Sequence, residues 1–204
     1  MTFKKEKYKI VRSAVSKDVV NFVNNYILLK EQVHDTLKDS RYIIPFSDDW
    51  GTREDPQCLG AYSHYADIVM ETLLTNCLPR VEKETDLKLW PTYAYTRVYR
   101  KGHELKKHTD RKSCKVSTTL NLGGDMWPIY LIDTKGKNIE VKLKSGDMLL
   151  YSGCELEHWR NIFKGKYCSQ VFLHYNEQNK KNKVNKFDNR AHLGLPSWFK
   201  GKKL

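Results

Sequence analysis

Apolar residues recur at intervals of three and four in the first part of the chain and at intervals of two from Leu89 onward. The first helical stretch opens at Ser16, a residue type that caps helices, and carries Val19, Val20, Phe22, Val23, Tyr26 and Ile27 toward Val33. A second helix is expected from about Gly60 to Cys77, with Tyr62, Tyr65, Ala66, Val69 and Leu73 on one stripe. Its end is expected near Pro79, because proline cannot donate the next backbone bond. Between the two lies a loop, Phe46 to Pro56, rich in Asp and Gly.

The period of two marks half-buried strands. It predicts strands at Thr92 to Tyr99, Lys115 to Leu122, Trp127 to Ile132, Ile139 to Leu143, Asp147 to Ser152 and Lys166 to Tyr175. Turn dipeptides separate them at Lys101-Gly102, Gly123-Gly124, Lys135-Gly136 and Ser145-Gly146. Helices followed by a run of short strands predict an α+β fold whose β part is a sandwich or jelly roll. The expected division is a helical support region over 1–88, a β core over 89–176 and a basic extension over 177–204, together one domain.

Composition narrows the setting. A chain of 204 residues suits one core. No stretch offers the ~18 consecutive apolar residues of a membrane span, and Met1 to Lys9 is lysine-rich without the apolar run of a signal peptide. A soluble, cytoplasmic protein with no membrane partner is therefore expected. The five cysteines are scattered and form no C-x-x-C pair, so reduced thiols are expected rather than a disulfide framework. The formal charge of +12 includes the run Lys180 to Lys186, read as a solvated connector. Beyond it, Phe187, Leu193, Leu195, Trp198 and Phe199 are too apolar for a plain tail, and the piece is expected to dock on the core or to form a partner surface.

The chemistry gathers around His108-Thr109-Asp110. An H-x-D alone is a frequent coincidence. His158, however, comes 48 residues after Asp110, just past the strand Met148 to Tyr151, where a sheet folding back sets it beside the pair. Two imidazoles and one carboxylate on one face of a metal leave the opposite positions open. A dicarboxylate bound there needs its far carboxylate paired with a cation. Lys166 is the candidate, on the strand face of Cys168, Gln170, Phe172 and His174. Tyr99 shares a face with Arg97, Tyr95 and Tyr93 and offers a second polar contact.

The order of "YTRVYRKGHELKKHTD", "LNLGG", "KSGDMLLYSG", "EHWRN" and "GKYCSQVFLHY" resembles the prolyl 4-hydroxylase branch of the 2-oxoglutarate- and Fe(II)-dependent oxygenases, over about Leu89 to Asn176. The resemblance implies a double-stranded β-helix, Fe(II) held by His108, Asp110 and His158, and 2-oxoglutarate and O2 as co-substrates. Tyr99, nine residues before His108, matches a tyrosine that hydrogen-bonds 2-oxoglutarate. Lys166 falls one or two residues short of the family's usual basic position, so Arg160 or Arg97 is an alternative, and Thr119 is a further contact.

The segment Arg97 to Val116 holds eight basic residues against Glu104 and Asp110. Such a rim suits a solvated face, an acidic peptide or a phosphate backbone. Arg97, Arg111, Trp159 and Arg160 are the candidates for substrate contact, whereas His174 reads as a structural histidine and His103 as an exposed one. Three readings follow: a hydroxylase of a peptide or protein side chain, an oxygenase of a nucleobase or small metabolite, and a binding module that keeps the fold without catalysis.

Overall fold

The computed structural model describes residues 2–42 and 48–202. In chain order the elements are helix α1 (Phe3–Glu6), strand β1 (Tyr8–Val11), α2 (Lys17–Asp39), β2 (Tyr62–Tyr65), α3 (Ile68–Thr85), β3 (Leu89–Arg100), β4 (Leu105–His108), β5 (Val116–Gly124), β6 (Ile129–Ile132), β7 (Asn138–Val141), β8 (Met148–Tyr151), β9 (His158–Arg160) and β10 (Tyr167–Glu177). Two 3-10 segments follow, η1 (Lys181–Asn189) and η2 (Ser197–Phe199). The strands form a six-stranded sheet in the order β1-β8-β5-β10-β3-β2 and a four-stranded sheet in the order β4-β9-β6-β7, with antiparallel pairing throughout. This is the α+β jelly roll that the change of period predicts.

Alternation along the larger sheet sorts side chains between its two faces. Ala94 and Val98 of β3, Leu120 and Leu122 of β5, and Val171, Leu173 and Tyr175 of β10 form one core with Val23 and Ile27 of α2 and Met70, Leu73 and Leu74 of α3. The residues between them point the other way. Tyr93, Tyr95 and Arg97 of β3 and Phe172 and His174 of β10 line a cavity toward the smaller sheet. Leu149 and Tyr151 of β8 close the far end by packing on Ile129 and Leu131 of β6 and Val141 of β7. The helices thus cover one face, and the other, rich in polar side chains, is left for chemistry.

The expected second helix is corrected. Tyr62–Tyr65 is an edge strand paired with β3, Ala66 turns the chain at φ 59°, and the Asp67 side chain accepts from Met70 N at 3.1 Å to start the helix at Ile68. The stripe of Tyr62 and Tyr65 continues the spacing of α3, which hides the break. Pro79 does not end this helix, which runs on to Thr85. Pro79 and Thr75 four residues earlier are both exposed, so the carbonyl that loses its partner faces solvent. The first helix starts as expected but extends beyond Val33 to Asp39. The expected loop over Phe46 to Pro56 lies partly outside the described residues. Among the described residues no helix is long and apolar enough to cross a membrane.

The chain after β10 docks by charge more than by its apolar residues. Buried Arg190 donates to both carboxylate oxygens of buried Glu71 on α3, at 2.6 and 3.3 Å. Asp188 accepts from Tyr65 at 2.7 Å, from Arg111 at 2.7 Å and from Lys200 at 2.6 Å. Leu193 packs on the main core, whereas Trp198 remains 60% exposed.

Candidate metal centre

β4 and β9 are neighbours in the smaller sheet, and their register places His108 opposite His158. The ring centroids are 4.3 Å apart. Asp110 follows in the loop, where its N–H donates to Gly153 O at 2.8 Å. Asp110 Oδ1 lies 3.7 Å from His108 Nε2 and 3.6 Å from His158 Nε2. One ligand atom from each residue falls within 4.8 Å of the others, a grouping that can hold a metal ion.

Tautomers are set by the backbone. His108 Nδ1 donates to Lys106 O at 2.8 Å and His158 Nδ1 to Leu156 O at 3.0 Å. Each ring therefore keeps its lone pair on Nε2, the atom that faces Asp110. Burial holds the His108 pKa below the usual imidazole value, with the neighbouring His158 acting the same way, which keeps the ring free to ligate. Burial pushes the Asp110 carboxyl up, but the pull of His158 and His174 when these rings carry a proton, together with the bond from Ser117, outweighs it and holds the group well below the carboxylate range. Asp110 is thus charged at neutral pH.

The cavity above the triad measures about 310 Å³. On one wall Arg97, 1% exposed, donates to Ser63 Oγ at 3.0 Å, Asp55 Oδ2 at 2.5 Å and Gln57 Oε1 at 3.1 Å. On another, Arg111 lies 4.4 Å over the Tyr93 ring and donates to Asp188. Both guanidinium groups already have an acid.

Arg160 differs. It lies on β9 two residues past His158 and points to the same side, fully buried. Nη1 donates to Trp127 O, Nη2 lies 3.5 Å from Thr119 Oγ1, and Nε has no partner. Among the described residues no carboxylate pairs with it, although the group sits 5.1 Å over the Trp127 ring, against which the Tyr99 ring packs at 4.8 Å. Thr119 also bonds to Gln170 at 3.2 Å, and Tyr99 OH accepts from Arg97 Nη1 at 3.2 Å.

Two expected residues lie elsewhere. Lys166 precedes β10 instead of beginning it, is exposed, and meets Asp125 Oδ2 through its backbone N–H at 2.5 Å. Its expected place on the inner face is corrected, because the alternation starts only at Tyr167. Trp159 sits between His158 and Arg160 on a strand, so it points to the opposite side. There it stacks on Tyr130 at 5.6 Å beneath Lys107 at 4.5 Å, away from the cavity. His103 is half-buried, not exposed, and its Nδ1 accepts from Arg100 N at 2.9 Å. Sequence reading missed Asp55 and Gln57, whose places in the wall depend on a loop, Asp188, which pairs with Arg111 from behind it, and Ser117 and Gly153, which touch Asp110.

No protein-family profile matches the sequence, and no curated protein matches it. Solved structures do. A Pseudomonas putida prolyl-4-hydroxylase is similar over 87% of this chain and 96% of its own, with TM-score 0.66 and 11% identity. EctD from S. alaskensis with bound Fe is similar over 97% of this chain and 80% of its own, with TM-score 0.63 and 16% identity. HygX from Streptomyces hygroscopicus, with nickel and 2-oxoglutarate bound, is similar over 86% of this chain and 85% of its own, with TM-score 0.58 and 13% identity. The chain has the fold of the 2-oxoglutarate- and Fe(II)-dependent oxygenases, a jelly-roll core of two antiparallel sheets.

Proposed function

We propose that the protein is a 2-oxoglutarate-dependent dioxygenase that hydroxylates a C–H bond, with Fe(II) held by His108, Asp110 and His158. The observation that carries this reading is the convergence of two Nε2 lone pairs and one carboxylate oxygen within 4.8 Å. When bound, Fe(II), 2-oxoglutarate and O2 supply the oxidation, in which the co-substrate becomes succinate and CO2 and one oxygen atom enters the substrate.

The residues present fit the co-substrate as well as the metal. A fully buried guanidinium with an orphaned Nε and no acid suits a bound carboxylate. Arg160 takes that role in our reading, with Thr119 and Tyr99 beside it, and Lys166 does not. Arg97 serves the wall through Asp55, and Arg111 with Tyr93 borders the substrate's approach.

The substrate we favour is a side chain of a peptide or protein, as in a prolyl hydroxylase. Half of the basic residues around the site are neutralised by neighbours: Arg97 by Asp55, Arg100 by Glu31, Arg111 by Asp188 and Lys115 by Glu155. That weakens the case for a polyanion such as nucleic acid. Anaerobic titration with Fe(II) and 2-oxoglutarate tests the reading: a weak visible charge-transfer band is expected with this protein and not with His108→Ala. No band in either sinks the oxygenase and favours a binding module.

A further inference from the structure

Asp110 uses its two oxygens differently. Oδ1 faces the histidines, while Oδ2 accepts from Ser117 Oγ of β5 at 2.6 Å. The same Ser117 oxygen lies 3.1 Å from His174 Nδ1 of β10. A hydroxyl carries one proton. With that proton given to Asp110, the oxygen is left to accept, so His174 carries its hydrogen on Nδ1. The resulting chain runs from imidazole N–H to hydroxyl to carboxylate. Adjacent strands build it, since Ser117 and His174 are direct partners in the β5–β10 register.

Each member is fixed from a second side. The His174 ring packs 4.5 Å from Tyr93 and is 5% exposed. The Asp110 backbone is tied to Gly153, and a Cβ at Gly153 would fall on both Asp110 Oδ2 and Ser117 Oγ and come within 2.9 Å of Asp110 Cγ. The absence of a side chain at Gly153 is what leaves the carboxylate and the hydroxyl their places.

We propose that Ser117 and His174 are positioning residues that keep Asp110 a one-oxygen metal ligand. The inference rests on the metal reading above. A carboxylate free to rotate can close on a metal with both oxygens and fill a position that a co-substrate needs. Anchoring Oδ2 prevents this, and such outer partners typically carry about 10- to 100-fold in metal affinity or activity. His174 is more than the structural histidine its sequence position suggests.

Anaerobic Co(II) titration of the protein, followed by the metal's visible absorption, tests the proposal. Ser117→Ala and His174→Leu are each expected to weaken Co(II) binding about 10- to 100-fold and to alter the band shape. His174→Asn, whose side-chain N–H can replace that of Nδ1, is expected to stay near the parent in both. The variant with Ser117→Ala and His174→Leu together is expected to bind no more weakly than Ser117→Ala, because one cut already breaks the chain. Unchanged affinity and spectrum in Ser117→Ala would overturn the proposal. So would His174→Asn binding as poorly as His174→Leu, which marks loss of packing alone. A parent protein that takes up no Co(II) overturns the metal reading itself, whereas a parent that binds alongside an indifferent Ser117→Ala overturns only this inference.

Discussion

Replacing Arg160 by methionine separates what the buried cation costs the fold from what it does for a ligand. In the protein Nη1 donates to Trp127 O, Nη2 reaches Thr119 Oγ1 only at 3.5 Å, Nε has no partner, and the side chain is 1% exposed. An unsatisfied buried donor costs about 1–3 kcal/mol, and an unpaired buried charge several kcal/mol more. Methionine is of similar reach and carries no such burden. Against this, the change orphans the Trp127 carbonyl, again about 1–3 kcal/mol. With the contact to the Trp127 ring lost as well, the balance still favours the variant, so the metal-free Arg160→Met protein is expected to be more stable by about 1–4 kcal/mol, or roughly 2–16 °C in melting temperature for a chain of this size. Binding moves the opposite way. Losing two charge-assisted bonds at about 1.5–3 kcal/mol each weakens 2-oxoglutarate by at least about 100-fold. Calorimetric melting without ligands reads the first quantity, and 2-oxoglutarate titration onto the metal-loaded protein reads the second. A variant that melts lower than the parent and still binds 2-oxoglutarate equally well refutes the reasoning and makes Arg160 a structural cation.

Three further outcomes are expected. Gly153→Ala drives a methyl group onto Asp110 and Ser117, so metal affinity should fall by about 10- to 100-fold while the strands persist; Co(II) binding equal to the parent's would count against it. Arg190→Met strands Glu71, itself 1% exposed, without its cation, and urea unfolding should register a loss of about 3–5 kcal/mol. For Asp188, burial pushes the carboxyl up, but Lys200, Tyr65 and Arg111 outweigh it and leave the pKa below its ordinary value. A depressed folded-state pKa contributes stability above the unfolded value of about 4 and loses it as pH falls through the folded one. The stability difference between the protein and Asp188→Asn, a residue that tolerates the φ of 56° found there, should therefore be full near about pH 6 and close below about pH 4. A pH-independent difference would refute that.

The long strands β3, β5 and β10 are legible in the sequence because each runs nine to twelve residues, long enough for a period of two to rise above accident despite the register shifts near their ends. β4 and β9, with four and three residues, were too short to show any period, although they carry His108 and His158. The three candidate ligands are legible all the same, since the H-x-D pair is local and the second histidine follows a recognisable strand and turn, and the structure brings them within 4.8 Å of one another. Lys166 shows the limit of the same method: extending the β10 alternation one residue before the strand placed an exposed side chain on the inner face. Trp159 erred in the other direction, because without β9 there was no reason to alternate it against His158. Arg160 was named, but only partner atoms from β5 and the Trp127 carbonyl distinguish it from Arg97 and Arg111, and those partners depend on tertiary packing. Asp55 in the wall and Asp188 behind Arg111 come from segments whose spacing carries no period at all.

The docking of Asp188 and Arg190 sets an order of assembly. Both lie beyond β10 and, among the described residues, are the last buried charges in chain order. Without them, both sheets can pair and His108, Asp110 and His158 can meet. Glu71 then lacks both the Arg190 guanidinium and the Gly194 N–H that it accepts from, and the chain forgoes part of the ~5–15 kcal/mol that holds an ordinary domain together. Arg111, next to Asp110, likewise waits for its acid. A chain that has every strand but is clipped before Asp188 is therefore expected to unfold and to be proteolysed more readily than one that keeps Asp188 and Arg190, the partners of Arg111 and Glu71.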